Sequence, residues 1–205
     1  MKKKLVVVVL AVAMVFSCFS VAFAAENDMA FSQADLEKIS EVQAYIDQIN
    51  VKYDLDLYVY DSDIAASSVE RVKQSINEMV QISEEAKAKE AEIDEKVAAG
   101  VAFAPDIMPR SNSWGKVADN NSGVYMTITY TTKSNPLRFA SITSCKSSGR
   151  AGMIFEAPMG FSKTFSNGNK TAVVKQKGLL RSQPGLGCAP IYNPNFTAVA
   201  TYTIK

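Results

Sequence analysis

Apolar residues recur at Ile39, Val42, Ile46 and Ile49, at spacings of three, four and three. That period puts them on one face of a helix. Ser32, with Asp35 three residues on, supplies its start. From Tyr53 to Tyr60 the period falls to two. Leu55, Leu57 and Val59 lie on one side, with Asp54, Asp56, Tyr58 and Tyr60 on the other. This is a short strand or an extended link with one buried face. Asp61-Ser62-Asp63 then offers turn and N-cap chemistry.

A long helix follows. Val69, Val72, Ile76, Met79, Ser83, Ala86, Glu90, Ile93 and Val97 step by three and four without a break. Ser83 and Glu90 do not suit a coiled-coil seam. The pattern therefore predicts a helix packed firmly in its first half and more solvated in its second, stopped by Gly100.

Beyond Gly115 the period is again two. Val124, Met126, Ile128 and Tyr130 alternate with Tyr125, Thr127, Thr129 and Thr131. Leu137–Cys145, Gly152–Ala157, Phe161–Phe165, Thr171–Lys177 and Phe196–Ile204 are the further strand candidates. Asn167-Gly168 marks a hairpin between two of them. The predicted fold class is α+β. An N-terminal helical segment, two helices with a short strand or extended link, precedes a small antiparallel β-sandwich or barrel.

The first residues read as an address. Lys2-Lys3-Lys4, an apolar run from Leu5 to Phe23 and the small-x-small Ala22-Phe23-Ala24 form a secretory signal peptide over residues 1–24, cleaved between Ala24 and Ala25. An uncleaved anchor and lipid attachment at Cys18 are the rivals. The Ala-x-Ala exit counts against the first and the bulky Phe16 against the second. The expected localisation is secreted or extracellular. Cleavage leaves Cys145 and Cys188 as an even pair in an oxidising compartment, which predicts a disulfide. It would close a 44-residue loop, a constraint worth roughly 4 kcal/mol.

Charge divides the remainder. Residues 25–100 carry 18 acidic and 7 basic side chains, and residues 101–205 carry 3 acidic and 12 basic. The halves thus stand at −11 and +9, a statement about partners rather than fold. The expected organisation is an acidic helical region at 25–100, readable as a pro-segment, a linker at 101–115 and a basic β domain at 116–205. Arg110, just past Pro109 in the linker, is the expected processing site. Lys163, Lys170, Lys175, Lys177 and Arg181, on or beside one hairpin, are the expected anion-binding surface.

Chemistry-bearing motifs are sparse. The chain has no histidine, which removes the commonest general base and metal ligand. Ser113-Trp114-Gly115-Lys116 has Ser-x-x-Lys spacing but lacks the partner motifs of that chemistry. Asp54, Asp56, Asp61 and Asp63 fail as a calcium loop, because Ala66 stands where a glycine is required and Val72 where an acid is. No catalytic residue, metal or cofactor is assigned. The expected function is a secreted, non-enzymatic protein. Its basic β domain binds an anionic cell-envelope polymer or lipid surface, and its acidic helices mask that domain. In the strongest form it is a bacteriocin-like or antimicrobial precursor. Nucleic acid is not an expected partner, given the compartment. An unprocessed extracellular scaffold or adhesion protein, and a cell-wall hydrolase whose carboxylates the sequence does not pair, are the alternatives.

Overall fold

The computed structural model describes residues 31–100, 117–119, 124–157, 160–183, 185 and 188–204. The cleavage site Ala24/Ala25 and Arg110 lie outside the described residues. Two compact units divide the chain, Met1–Ala34 and Asp35–Lys205. The second holds the strands and nearly all of the helical residues, and it is the one described here.

Helix α1 spans Gln33–Tyr53 and buries Ile39, Val42, Ile46 and Ile49, the four positions set by its period. The link after it is strapped to the helix. Asn50 donates through Nδ2 to the Leu57 carbonyl at 2.9 Å, and its Oδ1 accepts from the Leu57 amide at 2.8 Å. Leu57 and Val59 are thereby held inward and buried. Asp61–Ala65 is a short helix, α2, where the sequence suggested a turn. Ile64 is its buried anchor.

Helix α3 runs over Val69–Ala98. Ser68 caps it, its side chain accepting from the Arg71 amide. Gly100 follows with a positive φ of 66°, a left-handed stop that glycine adopts without strain. Polar contacts join the two long helices: Lys73 pairs with Glu41 at 2.6 Å, and the Tyr45 hydroxyl lies 2.8 Å from Asn77 Oδ1.

The strands form two antiparallel sheets. β1 (Val117–Asp119), β2 (Val124–Lys133) and β3 (Arg138–Gly149) make the first, in that order. β4 (Met153–Glu156), β5 (Ser162–Ser166), β6 (Thr171–Ser182) and β7 (Tyr192–Thr203) make the second. β6 is its hub. β7 pairs with it from Thr171↔Thr203 to Arg181↔Tyr192, β5 with its first residues and β4 with its last. The β5–β6 hairpin turns through Asn167, Gly168 and Asn169, all with positive φ, as the Asn-Gly pair predicts. At Gly178 a Cβ would fall 2.3 Å from the Glu156 carbonyl oxygen. Glycine there lets β4 approach the irregular part of the β6–β7 ladder.

Where β6 and β7 pair, the second sheet is packed on both faces. Val173 and Val199 pack with Ile93 of α3, and Val97 lies against them. Ala172, Val174 and Gln176 point the other way, in register with Tyr202, Ala200 and Ala198. On that side Tyr202 donates its hydroxyl to the Met126 carbonyl of the first sheet at 2.8 Å. The architecture is therefore α+β with two antiparallel sheets and a helix laid on one of them.

Candidate functional site

Ser83 and Glu90 break the apolar seam of α3, and both reach the strand half. Ser83 is buried, donates to the Met79 carbonyl and accepts from Asn193 Nδ2 at 2.9 Å. Glu90 accepts from Lys175 Nζ at 2.9 Å, and Asp94, one turn on, accepts from the same nitrogen at 2.7 Å. Burial works against the ammonium. The hydrogen bonds it donates to Asp94 and Glu90 outweigh this and hold the Lys175 pKa above the ordinary lysine value.

The five expected anion-binding residues therefore occupy different settings. Lys175 is half-buried under the acidic helix. Lys177 is exposed two positions further along β6. Lys163 is exposed on β5, opposite Val174, and donates to the Ile142 carbonyl of the first sheet at 2.6 Å. Lys170 is exposed at the hairpin end, where its carbonyl accepts from the Ile204 amide. Arg181 lies against Tyr192, its guanidinium 5.9 Å from the ring centroid. Pairing on β6 thus divides these cations between the two faces of a sheet, which sequence proximity could not reveal.

The expected disulfide is not formed: Cys145 and Cys188 are free thiols. The fold gives them different neighbours. Cys145, on β3, donates to Gln176 Oε1 at 3.6 Å beside the Ser147 hydroxyl, which also meets that oxygen. Burial pushes its thiol up despite the hydrogen bond from Ser147. Cys188 lies against the first turns of α3, with its sulfur 3.1 Å from Ser75 Oγ and 3.6 Å from the Arg71 carbonyl. An even cysteine count implies pairing only if the chain brings both Cβ atoms together. Here one thiol meets the second sheet and the other a helix.

Two further features emerge from tertiary contact. Asp54, Asp56, Ser83, Lys87, Glu90, Asn193 and Asn195 line a cleft of about 160 Å³. Asp56, Glu90 and Lys87 already have partners. Asp56 accepts from Asn195 Nδ2, Glu90 from Lys175, and Lys87 donates to the Tyr53 and Asp54 carbonyls at the end of α1.

The second feature is aromatic. Tyr58 and Tyr192 form a two-way backbone bridge, each amide 3.1 Å from the other's carbonyl. Their rings stack at 4.8 Å with 9° between planes. Tyr60 meets both edge-on, at 5.6 and 5.2 Å. Burial, and then the hydrogen bond to Tyr60, push the Tyr58 phenol up. The alternation from Tyr53 to Tyr60 already put Tyr58 and Tyr60 on the polar side of the link, but their partner at Tyr192 carried no local signal.

No helix among the described residues is long and apolar enough to cross a membrane. No group of three or more metal-ligating side chains occurs among the described residues. Comparison with family models, with curated proteins and with solved structures finds no match to this chain.

Proposed function

We propose that this is a secreted, non-enzymatic binding protein that engages an anionic cell-envelope surface through its cationic strand half, with the acidic helical half as a mask. In this reading the two sheets face each other as a small β-sandwich, joined by Tyr202 to Met126 and by Cys145 and Ser147 to Gln176. One observation carries the masking: Glu90 and Asp94 of α3 both spend their charge on Lys175 of β6. The halves are oppositely charged and tethered, so they hold each other at high effective concentration. Lys163, Lys170 and Lys177 remain exposed for an external anion.

The test is adsorption of the full secreted chain to anionic vesicles, zwitterionic vesicles and isolated wall polymer over a salt series. Binding falls with salt if charge drives it. The Glu90→Gln, Asp94→Asn double variant should bind anionic material more tightly than the wild type. Equal binding removes the mask. Mass spectrometry of the secreted form decides processing: a chain beginning near Ser111 supports cleavage at Arg110, and an intact chain from Ala25 counts against it.

A second reading, a scaffold or adhesion protein that keeps its helices permanently, is favoured by the buried Ser83–Asn193 hydrogen bond and the apolar contact of Ile93 with Val173 and Val199. Removing the helices would strip both from the sheet.

A further inference from the structure

The tyrosine cluster has a composition that the charge argument does not use. Tyr58, Tyr60 and Tyr192 meet where the link after α1 bridges the first residue of β7. Tyr60 is 53% exposed, among the largest exposures of any bulky apolar side chain described. It contributes a flat, rigid surface at low entropic cost, since a tyrosine has only two side-chain torsions to fix. Tyr58 and Tyr192 are half-buried and hold it from behind. Arg181, paired with Tyr192 across the β6–β7 ladder, places a guanidinium over that ring. Its Nε is buried and makes no hydrogen bond. Asp61, the acidic neighbour in the chain, accepts from the neutral Gln43 amide at 3.1 Å, a bond that does not cancel its charge.

We propose that Tyr60, backed by Tyr58 and by Tyr192 with its Arg181 neighbour, is a stacking platform for an acidic saccharide. This rests on the envelope-binding reading with the chain left unprocessed, since Tyr58 and Tyr60 belong to the acidic half, and it names the chemistry of the polymer taken. A sugar ring offers a flat C–H face to an aromatic ring and hydroxyls to its rim. A ring carboxylate would find the guanidinium end of half-buried Arg181 beyond its buried Nε. A bilayer fits the surface less well. Among the described residues the other large exposed apolar side chains, Leu36, Val51 and Leu137, sit on α1 and on the β2–β3 turn, away from Tyr60 in the chain, and form no broad apolar patch for insertion with it.

The experiment is calorimetric titration of the full secreted chain with a linear uronic-acid hexasaccharide and with a neutral glucose hexasaccharide. Adsorption to anionic vesicles is measured in parallel. The wild type should bind the acidic sugar more tightly than the neutral one. Tyr60→Ala should weaken both by about tenfold or more, while Tyr60→Trp restores binding. The Tyr58–Tyr192 backbone bridge needs no Tyr60 side chain, so the fold should persist in both variants, as a melting curve checks. Arg181→Gln should remove the preference for the acidic sugar and keep the neutral one bound. Tyr60→Ala binding like the wild type, or Arg181→Gln keeping the preference, overturns the proposal. A wild type that adsorbs to vesicles but takes no saccharide overturns it and leaves the envelope-binding reading standing. Failure to bind either probe overturns both.

Discussion

Truncating Ile93 to alanine removes the main apolar side chain by which the second half of α3 holds the sheet. Ile93 is 5% exposed and packs on Val173 and Val199, at 3% and 2%. Ile-to-Ala changes at such sites cost about 2–5 kcal/mol, according to how far the surroundings collapse. Ile93 lies near the end of a helix that stops at Ala98, where the last turns can settle toward the sheet. The lower part of the range, about 2–3 kcal/mol, is therefore expected. For a unit of this size that lowers the melting temperature by roughly 5–10 °C. The assay is urea unfolding followed by far-ultraviolet circular dichroism, dominated by the helices, and by the near-ultraviolet signal of sheet tyrosines such as Tyr130 and Tyr202. If helix and sheet form one cooperative unit, both signals shift together. A helical signal that shifts alone, with the tyrosine midpoint unchanged, would refute the shared core and return α3 to a detachable segment held by charge.

Further outcomes follow from the same contacts. Asn193→Ala leaves the buried Ser83 hydroxyl without its donor and should destabilise by about 1–3 kcal/mol; in a double-mutant cycle with Ser83→Ala, additive losses would disprove the coupling. The Lys175 pKa is raised on folding, so its ion pairs contribute fully below the ordinary value of 10.5 and are lost as pH rises through the elevated one. Lys175→Met should flatten the alkaline fall in melting temperature, and a slope equal to wild type would contradict this. Gly178→Ala drives a Cβ to 2.3 Å from the Glu156 carbonyl oxygen and should cost at least ~1–3 kcal/mol through displacement of β4, read as a lowered urea midpoint. Electrophoretic mobility of the secreted chain should not change on reduction, and Cys145 should alkylate slowly at neutral pH because burial raises its thiol pKa; a disulfide-linked peptide in a digest would overturn both.

The helices were legible because their apolar period is a local property. The four positions in α1 are buried as written, and so are Val72, Ile76, Met79, Ser83, Ala86 and Ile93 of the α3 seam, while Val69, Glu90 and Val97 are only half-buried; the polar breaks in that seam, Ser83 and Glu90, turn out to be links to the sheet. The Asn167-Gly168 turn was equally local, since it rests on which residues tolerate positive φ. What escaped the sequence was non-local. The even cysteine count could not tell which elements Cys145 and Cys188 would land on. The five cations looked clustered along the chain, yet strand alternation and register separate Lys163 from Lys175. Tyr192 meets Tyr58 only because β7 closes against a link formed far earlier in the chain. α2 was missed because one turn of helix leaves too short a period to read.

The Tyr58 bridge has a consequence for the rim of the sheet. Tyr192 turns its amide and carbonyl away from β6 and gives both to Tyr58. Two residues along, the same rim carries Pro194, which has no N–H to offer. Together they blunt a strand border that would otherwise recruit another chain. Excising the helical half would delete Tyr58 and leave that rim only Pro194 of this pair. A trimmed product should then oligomerise or seed fibrils.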